Sequence, residues 1–295
     1  MATVAQLVRA SDCGSEGRGF EPLRSPIFSY SPTKVVVMSL LAALLLGIIQ
    51  GVTEFFPVSS SSHLKLAKIL LGLPQTSDTI LFDLTCHFGT VCALLIYFRK
   101  SLLELVMKPR EMLPYIIASL PLIPGYFLLK SARDTCSDLR FLGFFLMITS
   151  LILFCGHFFG TRRAPKESTR VCDYLTIGTM QALALFPGIS RSGATISAAQ
   201  ICGWSPAASV TFSFILSIPA VTGGLLLESY HLQKTNSAIF LENLTPCLIG
   251  FFTSFIIGLM ALGAAMRLLS KSGQLKYFAW YCLILGITVA IWLNL

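Results

Sequence analysis

Long apolar runs, each closed by a short charged segment, set the pattern of this chain. The first covers about residues 35–56, and others cover about 80–98, 112–129, 141–159, 172–187, 207–227, 245–268 and 275–294. Such runs approach the ~20 apolar residues a helix needs to cross a bilayer. They are continuous rather than alternating, which excludes a β-barrel. Two shorter, Pro-started segments, 57–73 and 188–203, interrupt the series. Each opens on polar residues and is too short to span. The pattern predicts an all-α polytopic membrane protein with about eight transmembrane helices and two short re-entrant helices.

The two short segments are related. F-P-V-S-S-S-S at 56–62 aligns with F-P-G-I-S-R-S at 186–192, an offset of 130 residues (186 minus 56). Each follows an apolar helix that carries a glutamine, Gln50 in one and Gln181 in the other. Paired, interrupted hydrophobic segments predict a repeat fold with a site at the repeat interface. The halves would cover about 38–160 and 161–295 of a single domain, 38–295.

Composition agrees with the pattern. The chain is 54% hydrophobic and 12% charged, where soluble domains carry about 25% charged residues. The net charge of +8 does not mark a nucleic-acid binder. The basic residues sit in short clusters between apolar runs, such as Arg99, Lys100, Lys108 and Arg110, where they meet lipid headgroups. Lys and Arg are spread too evenly among the loops to fix an orientation. The nine cysteines show no metal-finger spacing. Residues 1–37 are polar and aperiodic, with no signal-peptide core. They resemble a translated transfer-RNA gene, so they read as a mis-annotated extension with synthesis starting at Met38, or else as a disordered tail.

Three constellations carry candidate chemistry. In Q-G-V-T-E-F-F-P-V-S-S-S-S-H (50–63), Gln50 and Glu54 share a helix face, and Glu54 is the only charged residue between Met38 and His63. A carboxylate in an apolar run is costly and marks function by default. The serines also make good helix caps. In F-P-G-I-S-R-S-G-A-T (186–195), Ser190, Ser192 and Thr195 are hydroxyl donors, and Arg191 is the sole charge between Asp173 and Glu228. A guanidinium fork fits phosphate, and a helix N-terminus beside it adds N–H donors. A structural ion pair between Arg191 and Glu54 is the plainer reading, and both can hold in the empty protein. The third set, Asp83 and His87, is i,i+4 on one helix and reads as support for the site or as a pair facing water. It lacks the tight clustering of a dedicated metal centre.

At these residues a family resemblance becomes specific. GIIQGVTEFFPVSSSSHL and LFPGISRSGATIS resemble the undecaprenyl-diphosphate phosphatases of bacteria, also called bacitracin-resistance proteins. The likeness extends from about Met38 to Leu295. Gln50 and Glu54 fill the family's first motif, and Pro57, Ser59, Ser60 and His63 fill the next. Pro187, Gly188, Ser190, Arg191, Ser192 and Thr195 fill the last. Ser62 departs from the family, which usually has Gly there, and Gln50 is the neutral alternative at its position. The resemblance implies hydrolysis of undecaprenyl diphosphate to the monophosphate and inorganic phosphate. It also implies a fold of inverted repeats with re-entrant helices, and a multi-pass location in the bacterial inner membrane with the site on the outer face.

On that reading Glu54, Ser60, His63 and Arg191 are the expected catalytic residues. Gln50, Ser59, Ser190, Ser192 and Thr195 are the expected substrate contacts. Ser60 is the first candidate nucleophile and Ser59 the second, with water activated by His63 as the alternative. Glu54 would orient His63 or Arg191, or hold a Mg²⁺ or Ca²⁺ ion, which suits oxygen ligands. No organic cofactor is called for. The expected partners are a polyprenyl diphosphate, the membrane and, as one allowed assembly, a second copy of the chain. The competing class is an inverted-repeat transporter or flippase of a lipid phosphate. The Ser–His–Arg–Glu set is richer in reactive groups than anion binding alone requires.

Overall fold

The computed structural model describes residues 38–73, 77–162, 166, 168–235 and 244–295. The expectation for residues 1–37 lies outside them. The described residues form one compact unit. Among the described residues the structure is all helical and holds no strand.

The first half contains α1 (Leu40–Thr53), α2 (Ser60–Leu70), α3 (Ser77–Tyr97), α4 (Arg99–Met107), α5 (Pro109–Ser119), α6 (Leu122–Leu128), α7 (Lys130–Thr135) and α8 (Leu142–Arg162). The second contains α9 (Val171–Leu183), α10 (Arg191–Ile201), α11 (Pro206–Thr235), α12 (Leu244–Leu269) and α13 (Leu275–Asn294). Six helical stretches among the described residues are long and apolar enough to cross a membrane. The predicted runs at 35–56 and 172–187 appear as shorter helices, α1 and α9, because each ends where its Pro-started motif begins. Pro supplies no backbone N–H and closes a helix. The predicted run at 112–129 is broken between α5 and α6, at Leu120 and Pro121. The charged segment after Arg99, read as a loop, forms the helix α4.

Packing follows the repeat. α12 rests on α1 and α3, while α5 rests on α9 and α11. The fourth long element of each half is thus lodged on the first and third elements of the other. α8 and α13, the last element of each half, pack against one another. Without water to drive association, such contacts depend on close van der Waals approach at small residues. A Cβ on Gly143 of α8 would stand 2.4 Å from the Ala290 nitrogen of α13. α12 shows the division of faces. Gly250, Ser254, Gly258, Ala261 and Ala265 are buried, while Leu248, Phe252, Ile256 and Met260 stay exposed at four-residue intervals, suited to lipid.

The largest core cluster lies directly beneath the first motif. Phe55 and Val58 pack there with Leu94, Leu153, Ile196, Phe214 and Leu262, so five helices converge where α1 ends. Phe55 meets Phe214 edge-on at 5.8 Å between centroids. α2 is pinned to α3 by Lys68, buried to 1% exposure, whose Nζ reaches Asp83 Oδ2 at 2.5 Å and the Thr79 carbonyl at 3.1 Å. Asp83, expected near the site or at water, serves this pair.

Candidate active site

Glu54 caps the C-terminal end of α1, one turn beyond Gln50. Pro57 stops the helix there, and the chain turns over before α2. The Glu54 side chain is nearly buried, at 6% exposure. Three elements donate to its carboxylate. Gln50 Nε2 of α1 reaches Oε2 at 2.9 Å, Ser60 Oγ of α2 reaches Oε2 at 2.8 Å, and Arg191 Nη2 of α10 reaches Oε1 at 2.6 Å. The two constellations read separately in the sequence are one cluster.

The turn before α2 is strained. Ser59 has φ 69°, a left-handed conformation uncommon for a residue with a Cβ. Such geometry costs about 1–3 kcal/mol and persists where surroundings enforce it. Here His63 Nδ1 bonds the Ser59 carbonyl at 2.8 Å, and the Ser59 and Ser62 hydroxyls meet at 3.0 Å. Ser62, the departure from the family pattern, is fully buried in that contact. The distorted turn delivers Ser60, the first residue of α2, to Glu54.

The second motif is held by α8. Thr149 Oγ1 donates to the Gly188 carbonyl at 3.0 Å and accepts from the Ser190 N–H at 3.0 Å. Gly188 has φ 110°, and a Cβ there would stand 2.6 Å from the Phe145 Cβ, so only glycine fits. Ser190 then caps α10, its Oγ accepting from the Gly193 N–H at 3.1 Å. The N–H groups of Arg191 and Ser192 keep no partner within the helix, as helix geometry requires. Arg191 Nη1 is buried without a partner.

A cavity of about 310 Å³ lies between these turns. Its polar wall is Glu54, Ser59, Ser60, Ser61, His87, Gln181, Ser190, Arg191 and Ser192. Its apolar wall is Leu84, Leu122, Ala184, Leu185 and, from α11, Ala220, Val221 and Leu225. The first turns of α2 and α10 both reach the cavity, so it collects two helix N-termini and a guanidinium, which together suit an anion. An amphiphile with an anionic head matches both walls.

Not every expected residue faces this space. Gln50 is fully buried behind Glu54, which it steadies without reaching the cavity. His63 stands outside the cavity in the empty protein. It is absent from the cavity wall because both ring nitrogens are engaged elsewhere, Nδ1 with Ser59 and Nε2 with Tyr281 Oη at 2.7 Å. Thr195 also stands outside the cavity. Its hydroxyl is spent on the Arg191 carbonyl at 2.9 Å and on Ser213 Oγ at 2.6 Å, away from the cavity. Two wall residues were underrated or missed. His87 touches Gln50 and Glu54, and Gln181 is buried with neither amide atom partnered. The signal for Gln181 was its counterpart Gln50 in the repeat.

Among the described residues no three His, Cys, Asp or Glu side chains cluster as metal ligands. The Glu54 carboxylate and the buried, unpartnered Gln50 Oε1 are hard oxygen donors. Of the two only Glu54 lines the cavity, which fits a divalent ion arriving with an anionic ligand rather than a resident metal centre.

Fold and cavity together define a polytopic membrane protein whose two repeat motifs build one anion site beside an apolar wall. The chain belongs to the family described as bacitracin resistance protein BacA, which matches residues 43–288. It is 40% identical over 260 residues to the undecaprenyl-diphosphatase of Protochlamydia amoebophila, covering 88% of this chain and 100% of that one. It is 36% identical over 258 residues to the undecaprenyl-diphosphatase of Carboxydothermus hydrogenoformans, covering 86% and 97%. With the protein of the same name from Geotalea daltonii it shares 34% over 275 residues, covering 87% and 99%.

Proposed function

We propose that this protein hydrolyses undecaprenyl diphosphate to undecaprenyl phosphate and inorganic phosphate, recycling a carrier lipid for cell-wall synthesis and conferring bacitracin resistance. The observation that carries this reading is the Arg191–Glu54 contact at 2.6 Å, with Arg191 Nη1 buried and unpartnered beside it. A guanidinium with a vacant donor at a helix N-terminus calls for phosphate oxygens.

The diphosphate enters between α2 and α10 while its prenyl tail lies along the apolar wall. Arg191 exchanges Glu54 for a phosphate oxygen. Glu54 is then free to take the Ser60 proton across their 2.8 Å hydrogen bond. Ser60 Oγ attacks the terminal phosphorus, the bond to the bridging oxygen breaks, and undecaprenyl phosphate leaves. Water then attacks the phosphoserine, Ser60 regains its proton, and inorganic phosphate is released. Direct attack by water, activated by Glu54, is the second reading, favoured by the same acceptor position. Positioning and charge neutralisation supply most of the catalysis in either case. His63 positions Ser59 and the turn. A Mg²⁺ or Ca²⁺ ion held by Glu54 would neutralise diphosphate charge. Gln181 lies on the same wall and offers both a donor and an acceptor to the headgroup.

The reading places the protein in the bacterial inner membrane with the cavity on the outer face. It includes a homodimer, for which the mostly uncovered apolar surface of α5 and α6 offers room. The test against a flippase is phosphate release in detergent micelles, where no compartments exist. Steady release from a polyprenyl diphosphate is expected; binding without release would favour transport.

A further inference from the structure

α3 brings one histidine to the cavity, and the steps above leave it unused. His87 Nδ1 lies 2.8 Å from Gln50 Nε2 and 3.4 Å from Glu54 Oε2. The neighbours fix what that nitrogen does. Glu54, ionised against Arg191, can only accept. Gln50 therefore turns its Nε2, not its Oε1, toward Glu54. The same amide nitrogen meets His87, and it can only donate. Nδ1 is thus the acceptor, and the ring carries its proton on Nε2. Among the described residues nothing in the protein bonds Nε2. The ring is a quarter exposed, and it lines the cavity with Ser60 and Arg191.

Its place along the wall says which part of a ligand it meets. Leu84, three residues earlier, shares this face of α3 and belongs to the apolar wall. His87 stands where the polar wall gives way to the apolar one. There a bound amphiphile places the phosphate attached to its tail, while the terminal phosphate lies toward Ser60 and Arg191.

We infer that His87 is a further catalytic residue, a neutral donor whose Nε2–H binds the lipid-side phosphate and steadies the charge that gathers on it as the bridging bond breaks. Gln50 is the positioning residue that sets the tautomer. This rests on the diphosphatase reading of the cavity.

Two amide substitutions separate the roles of the two nitrogens. A Gln side chain places its amide near where Nε2 stood, and an Asn side chain near Nδ1. His87→Asn keeps the contact with Gln50 and removes the cavity donor, so kcat should fall about 100-fold, the scale of losing one donor to developing charge. His87→Gln keeps the donor and should stay within an order of magnitude of wild type. Melting temperature in detergent is recorded for each variant. The opposite order, or equal loss in both folded variants, would overturn the inference. The wild type gives an answer that needs no variant. ¹⁵N-histidine NMR should show one ring with the proton on Nε2, and that resonance should move when a methylene-bridged prenyl diphosphonate is added. A His87 ring protonated on Nδ1, or unmoved by the ligand, would also overturn it. If the wild type releases no phosphate, the function reading fails instead.

Discussion

Glu54 and Arg191 hold one another in the empty protein because both are largely buried. Burying two charges is costly, and removing one partner leaves the other stranded. On the proposed mechanism an anionic substrate offers Arg191 a second partner and releases the carboxylate that sits on Ser60. The ion pair and the catalytic reading are therefore two states of the same residues. Glu54, Arg191 and Ser60 were legible in the sequence, since a lone charge in an apolar run has few other reasons to exist. The contact of His63 with Tyr281 was not legible, because the two lie 218 residues apart and no local pattern announces it. His87 was underrated because its neighbours depend on how α3 packs beside α1. Ser60→Ala decides between the two mechanisms. The serine route predicts loss of turnover of at least about 100-fold with the fold intact. Substantial residual release would exclude Ser60 as an obligatory nucleophile and leave water.

α2 and α10 are the elements that make the site, and they are built alike. Each is 11 residues long and starts at its motif. Their entries differ. α10 is capped by Ser190, whereas α2 has no side-chain cap and depends on the strained Ser59 turn. That difference was hidden in the sequence, where both motifs read as serine-rich caps. The strain needs a firm anchor, and Lys68 supplies one by tying α2 to α3 through Asp83. Lys68→Met leaves Asp83 without its partner and should destabilise the fold by about 3 kcal/mol. Earlier thermal unfolding in detergent is the expected result; unchanged melting would contradict the anchor. The break between α5 and α6 and the helix α4 also escaped the apolar pattern. One depends on Pro121, and the other is amphipathic rather than apolar.

The whole molecule is two halves that exchange their fourth long elements and meet at α8 and α13. The repeat was readable from two short motifs, but the exchange was not, since it depends on contacts between distant segments. Its consequence is that the site cannot be assembled by either half alone. Glu54 and Ser60 come from one, Arg191 from the other. An outer-facing cavity should expose Ser61→Cys to a membrane-impermeant maleimide on intact cells, above the wild-type background. Labelling seen only after lysis would place the cavity on the inner side.

On the proposed mechanism the two motifs together cleave a lipid diphosphate, with Arg191 gripping the phosphate. The most direct measurement is phosphate release from undecaprenyl diphosphate by the purified wild type and by Arg191→Ala, each shown to be folded by its melting profile. The wild type is expected to release one phosphate per lipid, and the variant to turn over at least about 1,000-fold more slowly. Near wild-type turnover by a folded Arg191→Ala would contradict it.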